Sequence, residues 1–164
     1  MSTVTHVFFD IGGVLGTNGW DREQRSAAKA KFQLGEEFVG LMLAQSQPFA
    51  ATIDVATRIA AAGRVRLFTL NNESEALNVY RIERFGLRPV FEAFLSSCWL
   101  GIRKPAPLIF ERALGIAQVK AEDAMFVDDR ERNLLPASAI GMRVHLFDGN
   151  ARALETALSA AGAL

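Results

Sequence analysis

THVFFDIGGVL, residues 5–15, is the stretch that decides the fold of this chain. Its bulky apolar residues 7–9 follow one another without interruption, which is typical of a parallel strand buried on both faces. The strand ends at Asp10, and the flexible pair Gly12 and Gly13 follows at once. A carboxylate in this place is typical of the reactive edge of an open α/β sheet. An aspartate that only ends a strand and caps the next turn gives the same pattern, so both interpretations stay open at this point.

The length and composition indicate one soluble domain. A chain of 164 residues suits a single core and is too short for two. Because the formal net charge is zero, nothing favours nucleic acid or an anionic membrane surface as a partner. Cys98 is the single cysteine, which excludes an internal disulfide and favours a reducing, cytoplasmic location. We expect no signal peptide and no membrane span, and the oligomeric state is left open.

Turn residues and apolar periodicity divide the rest of the chain into alternating elements. Helices are predicted at 22–33, 36–45, 49–62, 73–85, 107–114, 130–140 and 150–161, and strands at 65–70, 90–95, 124–127 and 143–147. This alternation predicts an α/β fold, a doubly wound and mostly parallel sheet with helices on both faces. A polar insert at approximately 20–47 separates the first strand from the helix at 49–62 and has room for at most two short helices. We expect residues 1–164 to form one domain that contains this insert.

Polar residues also follow the later strands. Asn71 and Asn72 end the second strand, where they can serve as turn and cap residues of the next helix. Lys104 and Pro105 precede the helix at 107–114, and such a pair is common on protein surfaces. Each of these two signals is therefore weak when it is taken alone.

Asp128 and Asp129 end the strand at 124–127 and give a stronger signal. Adjacent carboxylates repel each other unless a cation or dense hydrogen bonding compensates. Mg²⁺ prefers hard oxygen ligands of this kind. An acidic cap at the start of the following helix is the alternative, but it explains one carboxylate better than two.

The order of these signals resembles that of the haloacid dehalogenase-like (HAD) hydrolases. Motif I is represented by Asp10, motif II by Asn71 and Asn72, motif III by Lys104 before Pro105, and motif IV by Asp128 and Asp129. The stretches NNESEALNVYRIERFGL and SSCWLGIRKP are similar to a bacterial branch of the family with no firmly implied substrate. In a doubly wound sheet, the loops that carry these residues meet along one edge.

The resemblance implies a Mg²⁺-dependent phosphatase that acts on small phosphorylated molecules through an aspartyl-phosphate intermediate. The implied catalytic residues are Asp10, the nucleophile, and Lys104, which bridges the nucleophile and the phosphate. The implied substrate-binding residues are Asn71, Asn72 and Gly13, with the register of Asn71 and Asn72 left open. The implied Mg²⁺ ligands are Asp10, the carbonyl of Gly12, Asp128 and Asp129.

Two departures from the family pattern keep other functions open. Gly12 stands where HAD phosphatases carry a second aspartate, which acts as their general acid and base. The insert at 20–47 is shorter than the helical cap that usually closes over the site. Both departures allow a catalytically silent HAD domain that binds a ligand or partner. A carbon–halogen hydrolase also uses a strand-end aspartate, but it needs a full cap and no metal. The acidic pair therefore favours the phosphatase.

Overall fold

A computed structural model of the chain describes residues 3–18 and 36–164. Within them, one sheet is formed by strands β1 (His6–Phe9), β2 (Arg66–Asn71), β3 (Ala93–Ser96), β4 (Ala124–Asp128) and β5 (Arg143–Leu146). All four strand pairings are parallel, and the order across the sheet is β3-β2-β1-β4-β5. The predicted doubly wound α/β fold is therefore confirmed. The predicted helix at 22–33 lies outside the described residues, as does much of the insert at 20–47.

Helices separate successive strands in the chain, as βαβ units require, and one more helix follows β5. They are α1 (Glu36–Ala44), α2 (Ala50–Ala62), α3 (Glu75–Arg84), α4 (Ser97–Leu100), α5 (Pro107–Ala117), α6 (Glu131–Ala139) and α7 (Ala151–Ala160), with a 3₁₀ turn at Ala121–Asp123. None of the helices within these ranges combines the length and the apolar composition that crossing a bilayer requires.

The core has two layers, one on each face of the sheet. Successive side chains of a strand point to opposite faces, so Val7 and Phe9 enter one layer and Phe8 enters the other. Helices α2 and α7 cover the first layer, and α5 and α6 cover the second. Burial of each of these large side chains stabilises the fold by about 1.5–3 kcal/mol. The central strands are thus held rigidly from both sides, and so are the residues at their ends.

Strand order and register place the ends of β1 and β4 side by side. The chain adds β2 and β3 on one side of β1 and then returns to add β4 and β5 on the other. Crevices at such a switch point are the usual ligand sites of open α/β sheets. Phe9 is level with Val127, and the N–H of Asp10 donates to the Val127 carbonyl (2.9 Å). The register therefore brings Asp10 next to Asp128.

The third strand differs from its predicted bounds of 90–95. Val90 and Phe91 are buried, but they lie in a turn, and both N–H groups donate to the Leu87 carbonyl. Strand β3 begins only at Ala93, and the four-residue helix α4 follows it. A short apolar run shows that a segment is buried, but it does not distinguish a buried turn from a strand.

Candidate active site

Three carboxylates meet at the switch point between β1 and β4. Asp10 follows β1, Asp128 ends β4, and Asp129 comes directly after it. Each offers an oxygen, and these oxygens all lie within 4.8 Å of one another. Asp128 is fully buried and Asp10 is 7% exposed, so water screens their repulsion poorly. These are the acids that the sequence singles out.

Lys104 lies between two of the carboxylates. Its Nζ donates to Asp128 Oδ2 (2.6 Å) and to the Leu70 carbonyl (2.8 Å), and it lies 3.1 Å from Asp10 Oδ2. The side chain is almost completely buried. Because an ammonium has three hydrogens, these three acceptors engage all of them. The Lys-Pro pair, weak as a sequence signal, thus places a buried cation among the acids.

Asp128 is the most completely hydrogen-bonded member of the cluster. Its Oδ1 accepts from the N–H of Arg130 and from Asn133 Nδ2, both at 2.9 Å. Asn133 is buried in the first turn of α6 and also lies 3.0 Å from Asp128 Oδ2. These bonds and the contact with the Lys104 ammonium fix the orientation of the Asp128 carboxylate.

Asp10 has a strongly perturbed acidity. Burial is the main cause that raises the pKa of Asp10 from its ordinary value of 3.8 to about 8. The Lys104 ammonium opposes the rise, and the negative charges of Asp128 and Glu73 add to it. A divalent cation among the carboxylates would lower this pKa, because opposite charge favours the ionised form.

The hydrogen bonding of Asp129 shows whether the cluster fits a divalent cation. Its Oδ2 accepts from Asn18 Nδ2 (2.6 Å). Its Oδ1 is buried and accepts no hydrogen bond from the described residues, with Arg130 Nε 3.7 Å away. A buried carboxylate oxygen without a donor is costly, and a cation would satisfy it. Both this oxygen and the hard-oxygen donor set fit a divalent metal ion.

Asn71 and Asn72 have different surroundings. Asn71 is fully buried, and its Nδ2 donates to Asn78 Oδ1 (2.8 Å). Asn72 Nδ2 donates to the Lys104 carbonyl (2.8 Å), and its Oδ1 accepts from the Lys104 N–H (2.9 Å). Asn72 therefore holds the loop that carries Lys104. Each amide keeps a second Nδ2 hydrogen for another acceptor, so phosphate binding by either residue stays a prediction.

Gly12 and Gly13, which follow Asp10, differ in whether the backbone and the surrounding space would accept a side chain. Gly13 has φ +86°, and a Cβ there would lie 2.3 Å from Asp129 Oδ2. Its N–H donates to the Gly16 carbonyl (2.7 Å). Only glycine leaves room for Asp129 at this position, so Gly13 has a steric role. The substrate-binding role predicted for Gly13 stays a prediction. Gly12 is not among the glycines with positive φ.

Gly13→Ala is expected to lower the unfolding free energy by about 2–5 kcal/mol, the combined cost of a left-handed alanine and a steric clash. Gly63→Ala is the matched control, because Gly63 also has positive φ but open space around its Cβ position. It should lose only the backbone cost of about 1–2 kcal/mol. Urea denaturation measures both. Equal losses would show that Asp129 does not confine residue 13.

Two residues near the cluster have no motif in the sequence. Asn18 bonds Asp129 across 111 positions of the chain, and nothing local distinguishes it from other polar loop residues. Arg81 is fully buried on α3 and pairs with Glu73 (2.7 Å). The sequence did carry one sign of the burial of Arg81. It follows Leu77 by four residues in a helix, so it lies on the same apolar face as Leu77.

Comparison with protein families gives one match that covers most of the chain. The family model described as haloacid dehalogenase-like hydrolase matches residues 14–141. The matched part includes Asn71, Lys104, Asp128 and Asp129, whereas Asp10 lies before its first residue.

Curated relatives and solved structures share parts of this sequence and its fold. Bifunctional epoxide hydrolase 2 of Rattus norvegicus is 27% identical over 146 residues, 82% of this chain and 26% of that protein. Ribulose-1,5-bisphosphate 5-phosphatase of Halopiger xanaduensis is 32% identical over 78 residues, 47% of this chain and 33% of that protein. The chain thus spans about a quarter to a third of the length of these relatives. A HAD family enzyme of Bacteroides thetaiotaomicron, solved with magnesium and inorganic phosphate, has a TM-score of 0.74 at 17% identity and covers 90% of this chain and 96% of its own.

Proposed function

Because the chain belongs to the haloacid dehalogenase-like hydrolase family, we propose that it is a Mg²⁺-dependent phosphatase for small phosphorylated molecules. The observation that carries the proposal is the buried ammonium of Lys104 between Asp10 and Asp128, beside the incompletely bonded Asp129. A phosphatase among the relatives and a fold neighbour solved with magnesium and phosphate support it.

Asp10 is the proposed nucleophile. Its carboxylate attacks phosphorus, so that an Oδ–P bond forms while the bond from phosphorus to the leaving oxygen breaks. The leaving group takes its proton from water. A second water then attacks the phosphorus of the aspartyl-phosphate, so that a new P–O bond forms while the Oδ–P bond breaks. This step releases inorganic phosphate and regenerates the carboxylate, and the proton that the water loses neutralises the hydroxide left by the first step. The ionised form of Asp10 needs no general base to make it nucleophilic.

The other residues of the site are proposed to bind the metal ion and to balance the negative charges of the carboxylates and the phosphate. When bound, Mg²⁺ supplies positive charge that neutralises the transferring phosphoryl group. Asp10, Asp128, Asp129 and the Gly12 carbonyl are its proposed ligands. Lys104 keeps Asp10 and Asp128 close together in spite of their like charge. A phosphate oxygen can gain a bond to Lys104 by replacing one of its three present acceptors.

Turnover of a chromogenic aryl phosphate tests the proposal. We expect hydrolysis in Mg²⁺ that EDTA abolishes and that added Mg²⁺ restores. No turnover by the folded protein at saturating Mg²⁺ would favour a catalytically silent binding domain instead.

Asp129→Asn is expected to raise the half-saturating Mg²⁺ concentration by about 10-fold or more, because a ligand loses its charge. Asp129 is a cleaner target than Asp128, whose loss would also leave Lys104 without its closest partner. Asp148→Asn is the control, since Asp148 is exposed and, within residues 3–18 and 36–164, its side chain accepts a hydrogen bond only from the N–H of Asn150. An unchanged Mg²⁺ requirement in Asp129→Asn would remove Asp129 from the proposed ligands.

A further inference from the structure

We propose that Arg81 is a positioning residue for this site. Its guanidinium holds Thr17 and Asn18 against the carboxylate cluster, and it thereby sets the affinity for Mg²⁺ and for substrate. This inference rests on the proposed phosphatase function, but part of its test does not need turnover.

Arg81 joins three separate segments of the chain. Its Nε donates to Ser46 Oγ, one NH₂ group donates to Glu73 Oε1, and the other donates to the Thr17 carbonyl, each at 2.7 Å. Arg81 is fully buried and Ser46 is 2% exposed. The planar guanidinium presents its donors in a rigid fork, so three acceptors held by it are also fixed relative to one another.

Thr17 and Gln47, which flank residues 18–46 in the chain, are hydrogen-bonded to each other and form a junction. The N–H of Thr17 donates to the Gln47 carbonyl (2.9 Å), and the N–H of Gln47 donates to Thr17 Oγ1 (3.1 Å). Arg81 binds this junction from both sides, through Thr17 and Ser46. It therefore attaches both sides of the junction to helix α3.

The junction leads directly to the carboxylates. Asn18 follows Thr17, and its Nδ2 donates to Asp129 Oδ2 (2.6 Å). A continuous chain of contacts thus runs from Arg81 through Thr17 and Asn18 to Asp129. On its other side, the guanidinium lies 3.1 Å from the position that a Cβ of Gly12 would take. Arg81 thus borders the loop that follows Asp10 as well as the residue that orients Asp129.

The contribution of Arg81 is one of geometry. Arg81 and Glu73 form a buried pair of opposite charges, which add no net charge beside the cluster. An apolar side chain of similar volume would fill this space without the desolvation cost of an ion pair. An apolar side chain would leave the Thr17 carbonyl and the Ser46 hydroxyl without this donor. The three hydrogen bonds of the guanidinium, to Ser46, Glu73 and Thr17, are thus what Arg81 adds beyond filling the space.

Arg81→Lys separates geometry from charge, because lysine keeps the positive charge and loses the fork. We expect the Kd for Mg²⁺, measured by titration calorimetry without substrate, to rise about 10-fold. In turnover of an aryl phosphate, KM should rise about 10-fold while kcat stays within about threefold, as loss of uniform binding requires. Arg84→Lys is the matched control, since Arg84 lies in the same helix and is exposed. It should leave all three quantities unchanged.

A folded Arg81→Lys protein with a lower melting temperature but native Kd and KM would overturn the proposal and leave Arg81 with a stabilising role only. If Arg81→Lys does not fold, Ser46→Ala takes its place, because it removes one acceptor and keeps the ion pair. It should raise Kd and KM in the same direction by a smaller factor, and native values would again overturn the proposal. If the native protein binds Mg²⁺ without hydrolysing phosphates, the proposed function fails. The calorimetric comparison then still decides the role of Arg81.

Discussion

Asp10→Asn is expected to lower the turnover of an aryl phosphate by at least about 10³-fold, because removal of a covalent nucleophile removes the reaction path itself. The amide keeps the shape of the carboxylate and can still accept from the N–H of Ile11, which donates to Asp10 Oδ1 (2.8 Å). Lys104 retains Asp128 as its partner. The variant should therefore fold, and only the chemistry should be lost.

The stability of Asp10→Asn gives a second, independent readout. Burial raises the pKa of Asp10 from 3.8 to about 8, so the folded protein favours the protonated acid. This preference stabilises the folded protein fully at pH values below the pKa of Asp10 in the unfolded chain, which is near 4. The stabilisation is lost as the pH rises toward about 8, the pKa of Asp10 in the folded protein. In EDTA, the amide variant should thus melt above the native protein at pH 7.5, and the difference should shrink at pH 5.

Asp148→Asn is the control for both measurements, because it makes the same chemical change at an exposed aspartate. Native turnover in a folded Asp10→Asn protein would remove Asp10 as the nucleophile. A melting difference independent of pH would show that the buried charge of Asp10 does not destabilise the fold.

Much of the candidate site could be predicted because its acids carry local signals. Asp10 and the pair Asp128 and Asp129 follow apolar strands directly, and parallel strands present their carboxyl ends at one edge. The adjacency of Asp10 and Asp128 then follows from the strand order, which places β1 beside β4. Lys104 was predicted only through its resemblance to a motif, since a Lys-Pro pair has no physical signature of burial.

The contacts that hold the acids in place could not be predicted in this way. Asn72 binds the backbone of Lys104 across 32 positions, and Asn18 binds Asp129 across 111. Pairs so distant leave no periodicity or composition in the chain. The steric role of Gly13 was equally hidden, because it depends on where Asp129 lies in space. Sequence patterns thus predicted the acids and the lysine that meet in the cluster, while the residues that position them required the structure.

Because residue 12 carries no carboxylate, we expect the rate of hydrolysis to depend strongly on the leaving group of the phosphate ester. A positioned general acid contributes roughly 10²–10⁴ in rate, or about 2.7–5.4 kcal/mol. Gly12 cannot supply a proton, and water is the remaining donor. Aryl and acyl phosphates, whose leaving groups are stable anions, should react readily. Alkyl phosphates of similar size should be slower by about 10²–10⁴ in kcat/KM.

Gly12→Asp should reduce the difference in kcat/KM between aryl and alkyl phosphates, because it should accelerate the hydrolysis of alkyl phosphates more. The backbone accepts a side chain, since Gly12 is not among the glycines with positive φ. A Cβ there would lie 3.1 Å from a terminal nitrogen of Arg81 and 3.3 Å from Glu73 Oε1. Both distances are tighter than ordinary van der Waals contacts, so these neighbours must shift to admit the side chain. The gain should therefore stay below the full 10²–10⁴ of an ideal acid. Gly12→Asn has the same size without a proton to give, and it should leave the ratio of alkyl to aryl rates unchanged. Equal alkyl and aryl rates in the native protein would contradict the argument, because another group would then already protonate the leaving oxygen.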